Sequence, residues 1–274
     1  MAEVASAAVS SHILMSPKGA PDSAGRVFDG MLQIGRHIRA SKPDVIVIVS
    51  SDHLFNVPLG TAARFLVGTG VGFEPFGEMD IPREQFPGHP EFANALVEFA
   101  VARGVSVDRI DPLRPDHGTA VPLLFCNPDR DIPVVPLLVN YARDPLPEPQ
   151  ECWQLGRALA EFIAAQRPRG ERVALIGAGG LSHWVGYAKA NVNEAFDREF
   201  LAAVERDELA SWRSRSAAEI EREAGNGGLE IMSWLVVLAA TPGARAQVVY
   251  YEPMLEWMTG MGGAVLRLAG TKAA

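Results

Sequence analysis

Lys42-Pro43-Asp44-Val45-Ile46-Val47-Ile48-Val49-Ser50-Ser51-Asp52-His53 decides the fold of this chain. The uniformly β-branched run Val45–Val49 is too short for a helix and lacks the polar alternation of a half-exposed strand, so it predicts a strand covered on both faces, as in parallel α/β sheets. It stops at Ser50-Ser51-Asp52-His53, which sets a histidine just past a strand's carboxyl end. Upstream, Val4–Val9 reads as a strand of small residues ending at Ser10-Ser11-His12. Between the two, Val27, Phe28, Met31, Leu32, Ile34 and Ile38 recur at helical spacing over residues 24–40. A strand-helix-strand unit of this kind favours parallel pairing, because the crossover is right-handed. His12 and His53 are then expected at the same sheet edge.

The pattern continues downstream. Glu91–Arg103 predicts an amphipathic helix closed by Gly104, Val134–Val139 a buried strand, and Glu151–Gln166 a helix. Val173–Ile176 predicts another strand, which stops at Gly177-Ala178-Gly179-Gly180 before Leu181-Ser182-His183. Ala195–Val204 and Ser216–Glu223 read as surface helices and Gly228–Leu238 as a buried one, while Gln247–Tyr251 and Ala264–Leu268 are expected to close the sheet. The fold class that follows is α/β: one three-layer domain over residues 1–274 with a central, largely parallel or mixed sheet flanked by helices.

Composition narrows the partners. At 274 residues and 48% apolar content the chain can bury a sizeable core, and a formal charge of −8 argues against a surface that tracks nucleic-acid phosphates. No stretch approaches the roughly 20 apolar residues of a membrane span. Cys126 and Cys152 have neither CxxC nor zinc spacing, and no basic region followed by an apolar stretch marks a signal peptide, so a reducing cytoplasm is expected. The expected partner is a small molecule, with no nucleic acid or membrane, and the chain is expected to form a homo-oligomer.

Four histidines, His12, His53, His117 and His183, sit at abrupt ends of apolar runs or in glycine-flanked turns. In open α/β sheets ligands bind outside the carboxyl ends of the strands, which favours a site over chance. His37 and His89 lack the pattern and are read as structural. Glu230 is the one charge in the apolar run Leu229–Leu238. As a first-turn carboxylate it would complement a helix dipole, but its apolar neighbours on both sides call for a buried partner. Two imidazoles and one carboxylate suit non-haem Fe(II). The glycines before His183 fit neither GxGxxG nor a P-loop and are read as a tight turn that lets backbone approach a ligand. Asp52 and Asp116 each precede a histidine and suit either a turn or a supporting role beside a ligand. No GxSxG elbow supports a serine triad.

With these residues in view, the chain resembles the class III extradiol ring-cleavage dioxygenases, the superfamily of protocatechuate 4,5-dioxygenase catalytic subunits and 2,3-dihydroxyphenylpropionate dioxygenases. The resemblance runs through Ser11-His12, Ser51-Asp52-His53, Asp116-His117-Gly118, Gly179-Gly180-Leu181-Ser182-His183, Glu223–Glu230 and Tyr250-Tyr251-Glu252-Pro253. It implies a single α/β domain in which His12, His53 and Glu230 hold Fe(II) while His117 and His183 line the site and move protons, His183 as base and His117 with Asp116 orienting it. The substrates implied are an aromatic diol and O2. Tyr250–Met261, with Glu256-Trp257, is more similar to the dihydroxyphenylpropionate branch than to the protocatechuate branch, so a small accessory subunit is possible but not indicated.

Two other functions fit the same residues. A His/His/Glu site also suits a zinc hydrolase, and a non-catalytic binding protein could share the fold. Within the ring-cleavage reading a carboxylated catechol is the expected substrate. Lys18 lies near His12 in sequence but reads as a solvated loop lysine.

Overall fold

The computed structural model describes residues 2–57, 63–141, 144–187 and 191–268. The chain opens with β1 (Glu3–Ser10), α1 (Pro21–Ala40) and β2 (Val45–Ser51), then three short strands, β3 (Phe65–Gly68), β4 (Gly72–Phe73) and β5 (Phe86–Pro87). Next come α2 (Pro90–Val101), β6 (Val107–Ile110), α3 (His117–Cys126), β7 (Val134–Val139), α4 (Pro149–Gln166) and β8 (Arg172–Ala178). The last part holds α5 (Glu194–Arg206), α6 (Ala210–Ser214), α7 (Ala217–Ala224), α8 (Ile231–Ala240), β9 (Arg245–Met254) and β10 (Thr259–Arg267).

Eight of these strands form one mixed sheet in the order β6-β3-β7-β2-β8-β1-β10-β9. As the β-branched run predicts, β2 is buried along its whole length. Val45, Val47 and Val49 face a core built with α2, α4, α5 and α8. Ile46 and Ile48 face the opposite core, built with α1 and α3. The result is a single three-layer α/β domain, and burying each such side chain contributes roughly 1.5–3 kcal/mol.

The pairing of β1 with β2 differs from the expectation. Both run parallel, but β8 lies between them and bonds to each. Which strand fills the middle of a sheet is a long-range choice that the local strand-helix-strand pattern does not contain. The consequence for the site is favourable, because in this register Val9 and Val49 both lie opposite Gly177. His12, His53 and Gly180 follow those three residues within four positions and so leave the sheet at one edge.

The buried helix expected at Gly228–Leu238 enters through a 3-10 turn, Gly227–Glu230, and becomes α-helical at Ile231. α8 lies so close to β8 that a Cβ on Gly177 would come within 2.9 Å of the Ser233 carbonyl. Trp234 Nε1 donates to the Gly179 carbonyl at 3.1 Å, pinning the start of α8 over the glycine turn. His89 caps α2, its Nδ1 accepting from Phe92 N–H, and His37 lies on α1, so neither belongs to the site. No helix among the described residues is long and apolar enough to cross a membrane.

Candidate metal centre and active site

Glu230 is buried, and its carboxylate makes no cap hydrogen bond to α8. It points instead into the histidine cluster. Oε1 accepts from Ser51 Oγ at 3.0 Å and lies 3.0 Å from His53 Nε2. Oε2 accepts from the Gly180 N–H at 2.7 Å and lies 3.4 Å from His12 Nε2 and 3.9 Å from His183 Nε2. The tight glycine turn therefore serves to bring a backbone donor to this carboxylate. A Cβ on Gly179 would come within 2.4 Å of the Glu230 carbonyl, so only glycine permits the approach.

His117 completes the cluster. Its ring stacks on that of His53 with centroids 4.0 Å apart, and its centroid is 5.4 Å from that of His12. All five residues singled out in the sequence thus converge, and they line a cavity of about 280 Å³ with Trp184 and Trp257. A second cavity of about 490 Å³, lined in part by Tyr141, Leu54 and Asp144, also reaches the His53–Glu230 pair. Lys18 is exposed and is not among the described lining residues, which include no lysine or arginine in the smaller cavity.

Two supporting assignments change. The Asp116 carboxylate orients His53 rather than His117: Oδ2 meets the His53 N–H at 2.7 Å and Nδ1 at 3.1 Å, while Oδ1 caps α3 through Gly118 N–H. His117 is instead held by Glu78, which the sequence did not single out; one carboxylate oxygen accepts from the His117 backbone N–H and lies 3.1 Å from Nδ1. Asp52 is a turn residue, its carboxylate accepting from the N–H groups of Asn56 and Val57.

The electrostatics suit a cation. Burial lowers the His12 pKa to about 3 against the attraction of Glu230, so this imidazole is neutral, the form that binds a metal. His12 Nδ1 is buried without a hydrogen-bond partner. Burial would raise the Glu230 pKa, but His12, His53 and His183 hold it well below the ordinary carboxylate range. Burial also opposes protonation of His53, yet its bonds to Asp116 and Glu230 prevail and lift it to about 10. An imidazolium there balances two buried carboxylates, a task that a divalent ion would take over while returning His53 to its neutral, ligating form. His117 is lowered by burial and by His53. The donor atoms of His12, His53 and His117 lie within 4.8 Å of one another, and those of His12 and His53 flank Glu230, so the residues fit a bound metal.

Comparisons with known proteins place the chain in a family. Residues 6–262 match the family model described as the catalytic LigB subunit of aromatic ring-opening dioxygenase. The chain is 26% identical to a 2,3-dihydroxyphenylpropionate/2,3-dihydroxicinnamic acid 1,2-dioxygenase of Photorhabdus laumondii, over 92% of this chain and 93% of that one. Its identity to the protein of the same name in Klebsiella pneumoniae is 25%, over 83% and 86% of the two chains. The crystal structure of an uncharacterized protein from Escherichia coli K12 has a similar fold, with a TM-score of 0.61 at 20% identity, over 95% of this chain and 98% of that one. The chain therefore belongs to the family of catalytic LigB subunits of aromatic ring-opening dioxygenases, the class III extradiol enzymes whose motifs it carries.

Proposed function

We propose that this extradiol dioxygenase holds Fe(II) through His12, His53 and Glu230 and uses O2 to open a catechol-type ring next to its diol, in the breakdown of aromatic compounds. The observation that carries the proposal is the convergence of two imidazoles and one buried carboxylate, with two further histidines on the wall of the same cavity. Bound by these residues, Fe(II) would supply a centre that takes up the diol and O2 and would lower the pKa of a bound hydroxyl.

The remaining chemistry falls to the chain. His183 Nδ1 lies 2.8 Å from the Leu181 carbonyl, which accepts its hydrogen and leaves Nε2 without one. That nitrogen takes the proton of the second hydroxyl, a transfer suited to an imidazole. His117, with Nδ1 directed to Glu78, would use Nε2 to hold or return a proton during ring opening. Trp184 and Trp257, on the wall of the same cavity, supply apolar surface against which an aromatic ring can pack.

The substrate class proposed is a carboxylated catechol. The names of the Photorhabdus and Klebsiella relatives, both dioxygenases of a dihydroxylated phenylpropionate, support it. With no lysine or arginine among the described residues of the smaller cavity, the carboxylate would lie toward the mouth and solvent.

The test is metal analysis after anaerobic purification, with oxygen uptake and the appearance of yellow ring-fission products measured for carboxylated catechols, plain catechol and aminophenols. Turnover with Fe(II), highest kcat/KM on a carboxylated catechol, is expected. Zinc content with hydrolysis and no oxygen uptake would favour a hydrolase, and neither metal nor turnover would favour a binding protein. Equal or better kcat/KM with plain catechol would remove only the carboxylate preference.

A further inference from the structure

The stacked imidazoles of His53 and His117 are backed by carboxylates in the same way. One oxygen of Asp116 meets both the backbone N–H and Nδ1 of His53, and one oxygen of Glu78 meets both the backbone N–H and Nδ1 of His117. Glu78 reaches this position across 39 residues of chain, from a turn whose backbone is unusual. Gly77, Met79 and Asp80 all have positive φ, at 89°, 55° and 59°. A Cβ on Gly77 would come within 2.2 Å of Arg83 Nε. Two non-glycine residues in the left-handed region indicate a turn held in place by its surroundings. A carboxylate at the start of α3 could serve only the helix dipole. The bond to Nδ1 goes further, because an acceptor-only carboxylate requires the hydrogen to be on that nitrogen.

We propose that Glu78 is the positioning residue for His117: it fixes the Nδ1–H tautomer, so that Nε2 is the nitrogen presented to the cavity. This rests on the proton-moving role assigned to His117 above. Loss of Glu78 frees the ring to turn and to place its hydrogen on either nitrogen, while the metal ligands, which Glu78 does not touch, stay in place. Glutamine can supply the same single oxygen to both donors, so Glu78→Gln keeps the arrangement and Glu78→Ala does not.

The test reads the tautomer directly, by ¹⁵N NMR of histidine-labelled full-length protein loaded with diamagnetic Zn(II), with the His117 signals identified by their loss in His117→Phe. The wild type and Glu78→Gln are expected to show Nδ1–H at His117, and Glu78→Ala an Nε2–H or mixed form. In the Fe(II)-loaded protein, Glu78→Ala should lower kcat by about 10- to 100-fold with KM and metal content nearly unchanged, and Glu78→Gln should recover most of the loss. An unchanged His117 tautomer in Glu78→Ala would overturn the proposal, as would an Nε2–H form in Glu78→Gln. A chain inactive on every catechol would sink the ring-cleavage reading, while the NMR result would still decide the role of Glu78.

Discussion

Asp116 and His53 are joined twice through one atom: Oδ2 of the aspartate lies 2.7 Å from the backbone nitrogen of His53 and 3.1 Å from its Nδ1. Burial would raise the Asp116 pKa, but the hydrogen bond with His53 holds it below its ordinary value. The charge fixes both the ring's orientation and the nitrogen that faces Glu230, as partners of metal-binding histidines commonly do. Asp116→Asn removes the charge at nearly constant volume. It should weaken Fe(II) binding by about 10- to 100-fold, measured by competition with a chelator. Unchanged affinity would show that His53 needs no such support.

His117 and His183 should matter to proton transfer rather than metal retention. His183→Phe and His117→Phe are each expected to keep their iron and to lose at least about 100-fold in turnover, the scale of a lost acid or base. Stoichiometric loss of iron in either variant would make that histidine a ligand. For His117, whose donor atom lies within 4.8 Å of those of His12 and His53, this outcome would indicate a three-imidazole site.

Gly227 lies against the His183 ring, where an added Cβ would sit 2.1 Å from Nε2. Gly227→Ala therefore has to displace the imidazole or the 3-10 turn that leads to Glu230. A displacement of about 1 Å can cost on the order of 100-fold in rate. Stopped-flow turnover of this variant should fall well below wild type with iron still bound, and full activity would mean that His183 is not held where its role requires.

Asp197 offers a pH test outside the cluster of His12, His53 and Glu230. It is fully buried, accepts from Ser182 N–H at 2.8 Å and from the Tyr251 hydroxyl at 2.9 Å, and its pKa is raised by burial, against those bonds, to about 6. Because the folded value lies above the ordinary 3.8, the native state keeps a proton that the unfolded chain has already released. This stabilisation is fully present below about pH 4 and is lost as pH rises through about 6. Relative to Asp197→Asn, the wild type should lose on the order of 2–3 kcal/mol of unfolding free energy between those limits, read from urea denaturation. A difference that stays constant with pH would contradict the shift.

The features that the sequence disclosed are those written in local pattern. β2 announces itself by a β-branched run buried on both faces, and His12, His53 and His183 by their places just beyond strand ends. Glu230 stands out because a charge in an apolar helix needs a partner. The features it concealed depend on distant neighbours. The four-residue strands β3 and β6 pair with each other, and β3 is joined to the sheet through β7. α3 is buried on nearly every side and contains Pro122, so it has no amphipathic period to read. Glu78 meets His117 across 39 residues from a turn without apolar pattern; only the positive φ values around it, visible in the structure, mark it out.

The metal assignment proposed above is to Glu230, His12 and His53. Its most direct test is iron content and oxygen uptake of Glu230→Ala, reconstituted anaerobically beside wild type, with circular dichroism confirming that the fold survives. Iron near background and no ring cleavage are expected in the variant, against one iron per chain in the wild type. Near-normal iron and turnover in Glu230→Ala would contradict it.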